Sequence, residues 1–76
     1  MLELYILENC PYCQKVIKVL DENNMHYKKI DIANEDNKET LIRFGGKRQV
    51  PFLIDKERNV QMYESEDIIN YLKTIC

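Results

Sequence analysis

Glu3-Leu4-Tyr5-Ile6-Leu7-Glu8-Asn9-Cys10-Pro11-Tyr12-Cys13-Gln14-Lys15-Val16-Ile17-Lys18-Val19-Leu20 contains a change of hydrophobic period. Its first part is a short apolar run ended by Glu8-Asn9, which predicts a buried strand over residues 3–7. Beyond it, Cys13, Val16, Ile17 and Leu20 fall at i, i+3, i+4 and i+7. That spacing makes one apolar face of a helix over about residues 11–23. Pro11 suits the first turn, where a missing N–H leaves no helical bond unmade. Asp21-Glu22-Asn23-Asn24 is polar and ends the helix. Cys10 and Cys13 therefore stand where a strand passes into a helix.

Working outward, residues 26–32 read as a second strand, with Ile30 and Ile32 alternating against charged neighbours. Asn34 is a candidate N-cap, and Glu35 and Asp36 favour a first helical turn. Leu41, Ile42 and Phe44 give this second helix an apolar side, and Gly45-Gly46 stops it. Residues 50–54, Val-Pro-Phe-Leu-Ile, form a strongly apolar third strand. Five polar residues, 55–59, make a turn into a fourth strand carrying Val60 and Met62. Ser65 is placed to cap a last helix whose apolar face is Ile68, Ile69, Tyr71, Leu72 and Ile75. The order is β-α-β-α-β-β-α. Its first βαβ unit is expected to be parallel with a right-handed crossover, and its terminal hairpin antiparallel. The expected architecture is α/β: one domain over residues 1–76, a mixed four-stranded sheet flanked by helices.

Bulk properties narrow the function classes. A chain of 76 residues buries only roughly 60% of its unfolded surface. Apolar and charged fractions are those of a folded globular protein. Thirteen acids against eleven bases argue against nucleic acid as a standing partner. No apolar stretch approaches the roughly 18 residues of a membrane helix. Met1-Leu2-Glu3-Leu4-Tyr5 has no basic segment and no cleavage site, so a mature start and a cytoplasmic location are expected. Three cysteines, an odd number with two of them close together, suit a reducing compartment rather than a stapled secreted domain.

The close pair carries the chemistry. A helix N-terminus presents unpaired N–H groups and a partial positive charge, and both stabilise a thiolate. Cys10, at the N-cap, is the expected attacking sulfur. Cys13, a turn further on the apolar face, is the expected resolving thiol. Structural zinc is the bland competitor, but it commonly wants two ligand pairs, and only His26 and Cys76 remain, both singletons. No metal is expected. His26 reads as a strand-edge residue, Tyr5, Tyr27, Tyr63 and Tyr71 as packing at core margins, and Cys76 as a free thiol.

Cys10-Pro11-Tyr12-Cys13 is similar to the active-site motif of dithiol glutaredoxins. Val50-Pro51 resembles that family's Thr-Val-Pro segment, with Gln49 in the threonine position. Glu64-Ser65-Glu66-Asp67 before Ile68 resembles its third glutathione-binding segment, and also the Glu-Ser segment of glutathione transferase N-terminal domains. The resemblance covers the whole chain and implies a thioredoxin-like fold with a cis bond at Pro51. It further implies glutathione as cosubstrate. The Val50 backbone would meet the cysteinyl part, and Ser65 and Glu66 the γ-glutamyl end. Lys38 and Arg48 would meet the glycyl carboxylate, and Tyr12 would line the groove. Two departures stand out: Leu7 replaces a lysine common in the family, and Met62-Tyr63 replaces its Gly-Gly.

The expected function is glutathione-dependent reduction of protein disulfides and glutathionylated proteins by a monomer. Three other readings compete: a thioredoxin-like donor recharged by a flavoprotein reductase, a module holding a metal or iron–sulfur cluster, and a glutathione transferase N-terminal domain.

Overall fold

The structure, a computed structural model, describes every residue from Met1 to Cys76. Its elements are β1 (Leu2–Ile6), α1 (Pro11–Glu22), β2 (Tyr27–Asp31), α2 (Glu35–Gly45), β3 (Phe52–Asp55), β4 (Val60–Met62) and α3 (Ser65–Ile75). The order is the expected one. The sheet runs β2-β1-β3-β4, with β1 parallel to β2 and antiparallel to β3, and β3 antiparallel to β4. No helix is long and apolar enough to cross a membrane.

Strand β1 begins and ends one residue earlier than the apolar run suggests. Leu2 already pairs with Tyr27 on one side and Asp55 on the other. At the far end the Leu7 carbonyl accepts the Cys10 N–H at 3.1 Å, so Leu7 belongs to the turn that starts α1.

Strand β1 is central in the sheet, and helices cover both of its faces, α1 and α3 on one and α2 on the other. Leu2, Leu4 and Ile6 point one way, with Leu53 of β3, and meet Val16, Ile17 and Leu20 of α1 and Ile68 and Leu72 of α3. Tyr5 points the other way, as the two-residue period of a strand requires. It joins Phe52, Ile54, Ile32 and Leu41 beneath α2. Tyr5 is thus a buried core residue, 2% exposed, rather than one at the margin.

Asn34 caps α2, its Oδ1 accepting the Asn37 N–H at 3.1 Å. At the other end Gly46 adopts φ 91° and returns its N–H to the Ile42 carbonyl at 2.8 Å. That left-handed turn favours a residue without Cβ. Asp55 departs from the turn expected of it. It is the last residue of β3, only 1% exposed, and its carboxylate reaches across to α3.

Candidate active site

The end of β1 and the start of α1 bring the two thiols together. Cys10 is the N-cap of α1, with extended backbone, and its Sγ accepts the Cys13 N–H at 3.3 Å. A sulfur thus takes the place of the usual oxygen cap and satisfies one of the free first-turn donors. Pro11 follows in the first turn. Both cysteines are free thiols. Cys10 is half-buried, while Cys13 is completely buried in the main core beneath α1. Burial, and after it the hydrogen bond to Cys10, pushes the Cys13 thiol up to about 12. Cys13 therefore holds its proton at neutral pH, and Cys10 is the accessible sulfur of the pair.

Tyr12, between the two cysteines, opens onto a cleft of about 430 Å³ that neither cysteine lines, within the roughly 300–1,000 Å³ of small-molecule sites. Tyr12, Gln49, Val50, Pro51, Glu64, Ser65 and Glu66 line it. Three separate segments converge here. The first turn of α1 contributes Tyr12, 58% exposed. The approach to β3 contributes Gln49, Val50 and Pro51, with a cis Val50–Pro51 bond. The start of α3 contributes Glu64, Ser65 and Glu66. Lys15 approaches Glu66 at 3.9 Å and lies 5.7 Å from the Tyr12 ring centroid, linking α1 to the start of α3.

Ser65 plays a different local part from the one its sequence position suggests. The cap position of α3 is Glu64, Ser65 is the first helical residue, and no side chain caps this helix. The first intrahelical bond is Ile68 N–H to the Glu64 carbonyl at 2.9 Å. The preceding N–H groups have no helical acceptor, so this end of the cleft offers donors to an anion. Glu64 and Glu66 place carboxylates beside those donors. Such an edge matches a zwitterion, with its carboxylate on the N–H groups and its ammonium on the side chains. Ser65 is buried, 8% exposed, but its hydroxyl caps no helix N–H, so Ser65→Ala is expected to cost less stability than the loss of a working cap. Loss of a working cap would be nearer 1 kcal/mol. Thermal melting of the variant distinguishes the two.

Of the residues expected in the groove, Tyr12, Val50, Pro51, Ser65 and Glu66 line it. Lys38 and Arg48 do not. Lys38 lies on α2, where its Nζ pairs with Glu35 Oε2 at 2.9 Å. Arg48 is exposed and directly precedes the lining residue Gln49, and it makes no ion pair or side-chain hydrogen bond. Gln49 and Glu64 stand within the sequence motifs but carry no role there, and Lys15 lies outside them. Adjacency to Val50-Pro51 and to Ser65 would have found the first two, and the i,i+3 relation to Tyr12 the third. Nowhere do three His, Cys, Asp or Glu side chains gather to hold a metal ion.

Residues 4–75 match the family described as glutathione S-transferase, N-terminal domain. Glutaredoxin 1 of Rickettsia felis is 43% identical over 51 residues, covering 63% of this chain and 50% of the relative. The chain thus spans about half the length of that relative. Glutaredoxin 1 of Rickettsia prowazekii is 36% identical over 74 residues, covering 92% of this chain and 75% of the relative. Among solved structures, Glutaredoxin 2 of Salmonella typhimurium in complex with glutathione superposes with a TM-score of 0.84 at 27% identity. That match covers 99% of this chain and 34% of the other. Element order, a dithiol at the head of α1 and these relatives agree: the chain belongs to the glutaredoxin family, with the thioredoxin-like fold shared by glutathione transferase N-terminal domains.

Proposed function

We propose that this chain is a glutathione-dependent thiol–disulfide oxidoreductase acting on protein disulfides and glutathione mixed disulfides. One observation carries the reading: an accessible Cys10 beside a cleft that ends on the uncapped N-terminus of α3, flanked by carboxylates.

In the first step the Cys10 thiolate attacks the glutathione sulfur of a mixed disulfide. A Cys10–glutathione disulfide forms, the original S–S bond breaks, and the protein thiolate leaves with the electron pair. In the second, a glutathione thiolate attacks that new disulfide. Oxidised glutathione departs and Cys10 returns as thiolate. On the alternative branch Cys13 loses its proton and attacks Cys10, releasing reduced glutathione and leaving a Cys10–Cys13 disulfide. Burial, the largest cause raising the Cys13 thiol, persists when Cys10 is bound to glutathione and favours the first branch, because only a thiolate attacks.

Glutathione fits the cleft with its γ-glutamyl end at Ser65 and Glu66 and its cysteinyl backbone against Val50, beside Pro51 and Tyr12. Its glycyl carboxylate then lies toward Arg48. Lys38 reaches that carboxylate only by leaving Glu35, a pair with Lys38 half-buried and Glu35 exposed, of the solvent-screened kind worth about 0–1 kcal/mol. A reducing, cytoplasmic setting, a monomeric state and disulfide-bearing protein partners belong to the same proposal.

Reduction of a glutathionylated protein with glutathione and its reductase is expected to proceed. The same assay with thioredoxin reductase alone is expected to stay near background. The opposite pattern would make the chain a thioredoxin-like donor instead. Arg48→Ala is expected to raise the apparent KM for glutathione by up to about fivefold, the fold-change of a solvent-screened ion pair. Alkylation of Cys10 by iodoacetamide is expected to keep its rate. An unchanged KM in both Arg48→Ala and the Lys38→Ala, Arg48→Ala double variant would remove both residues from the groove.

A further inference from the structure

The loop of residues 47–49, which ends on the cleft-lining Gln49, is held by two consecutive residues, Tyr63 behind it and Glu64 in the cleft. The Tyr63 hydroxyl donates to the Lys47 carbonyl at 2.7 Å and accepts the Lys47 N–H at 3.4 Å. Lys47 Nζ lies 4.8 Å from the centroid of the same ring. Two residues on, the Gln49 amide donates to Glu64 Oε1 at 3.0 Å. Glu64 holds φ 22°, a conformation that L residues rarely adopt and that needs support from its surroundings. The ring of Tyr63 is anchored in turn on Phe52, centroids 4.5 Å apart, and Phe52 opens β3 directly after Pro51.

Gly45 makes room for this arrangement. A Cβ there would stand 2.0 Å from the Tyr63 hydroxyl and 2.6 Å from the ring carbon that bears it. The end of α2 has a glycine where Tyr63 needs space. The two features read as one device.

We propose that Tyr63 is a positioning residue for substrate binding, acting through Lys47 and the 47–49 loop to set the Val50 edge and Arg48 beside the cleft. This rests on the glutathione-dependent reading given above. Tyr63 does not line the cleft itself. Its hydroxyl fixes both backbone groups of Lys47, and the neighbouring Gln49–Glu64 bond fixes the next anchor. Arg48 is held on both sides while its own side chain remains unpaired.

Tyr63→Phe removes the hydroxyl and leaves the ring on Phe52. Amide exchange at Lys47 is expected to quicken severalfold, while exchange within β1 stays as it was. In steady-state reduction of a glutathionylated peptide, the KM for glutathione is expected to rise about three- to tenfold, with a much smaller change in kcat. Iodoacetamide alkylation of Cys10 is expected to be unchanged. Gly45→Ala is expected to raise KM similarly, and in a Tyr63→Leu background it is expected to add nothing, because the clash partner is gone. Unaltered exchange at Lys47 in Tyr63→Phe would overturn the proposal. So would quickened exchange with an unaltered KM in a chain that turns over glutathione normally. Absence of glutathione turnover in the unsubstituted chain would instead overturn the underlying reading and the positioning role with it.

Discussion

Cys10→Ser is expected to lower reduction of glutathionylated substrates by roughly 10³-fold or more, the scale seen when a nucleophile is removed. The variant is a clean one. Serine is among the preferred N-cap residues, so its oxygen can accept the Cys13 N–H that Cys10 Sγ accepts now. Helix α1 and the cleft are therefore retained while the nucleophile is lost. Cys13→Ser is expected to keep activity within severalfold, because a second glutathione can resolve the intermediate. Cys13 lies completely buried in the core, so a hydroxyl there lowers stability. Cys13→Ala, which buries no polar atom, is the companion variant, and both are assayed well below their melting temperatures. Mass spectrometry of Cys13→Ala turning over is expected to trap glutathione on Cys10. Equal loss of activity in the Cys10 and Cys13 variants would remove Cys10 as sole nucleophile.

Asp55→Ala is expected to be the most destabilising polar substitution in the chain. The Asp55 carboxylate accepts the Tyr71 hydroxyl at 2.5 Å, Arg58 Nη1 at 3.1 Å and the Arg58 N–H at 3.3 Å. It thereby joins the β3–β4 turn to α3. Burial alone pushes this carboxyl up, but the hydrogen bonds from Tyr71 and Arg58 outweigh it and hold Asp55 below the ordinary carboxylate range. Burial, then the bond to Asp55, pushes the Tyr71 hydroxyl up. Hydrogen bonds to a charged group contribute about 1.5–3 kcal/mol, so a loss of about 2–3 kcal/mol is expected. In a domain of this size that lowers Tm by about 10–20 °C.

The pH dependence follows from the two directions. A lowered carboxyl contributes stability that is present above its unfolded value, about 3.9, and lost as pH falls through the folded value. A raised phenol contributes stability that is present below about 10 and lost as pH rises through its folded value. The difference between wild type and Asp55→Ala is therefore expected to be flat between about pH 5 and 9 and to shrink at both ends. Urea unfolding across that range measures it. A difference that stayed constant down to pH 2 would show that the Asp55 charge contributes nothing.

The order of elements and the place of the thiols are legible in the chain alone. Strand and helix periods are properties of contiguous residues, so the change of period around Cys10 and the i,i+3 spacing of Cys10 and Cys13 can be read without knowing what packs on them. The Asn34 cap and the Gly46 turn are legible for the same reason, since each acts on its own helix. What meets across the chain is visible only in the folded molecule. Tyr63 reaches Lys47 and Tyr71 reaches Asp55 over 16 positions, and Gln49 reaches Glu64 over 15. Those meetings depend on the register of β3 against β1, strands remote from each other in sequence, and no local pattern encodes such a register. Asp55 looks like a turn residue among polar neighbours, yet pairing with β1 and β4 on both sides buries it. Ser65 looks like a cap, yet the backbone of Glu64 takes the cap position, so the start of α3 remains open toward the cleft. Lys38 looks like a groove cation, yet one turn of α2 gives it to Glu35. In each case the residue type was visible in the chain, and its partner was set by how the sheet aligned its strands or how a helix began.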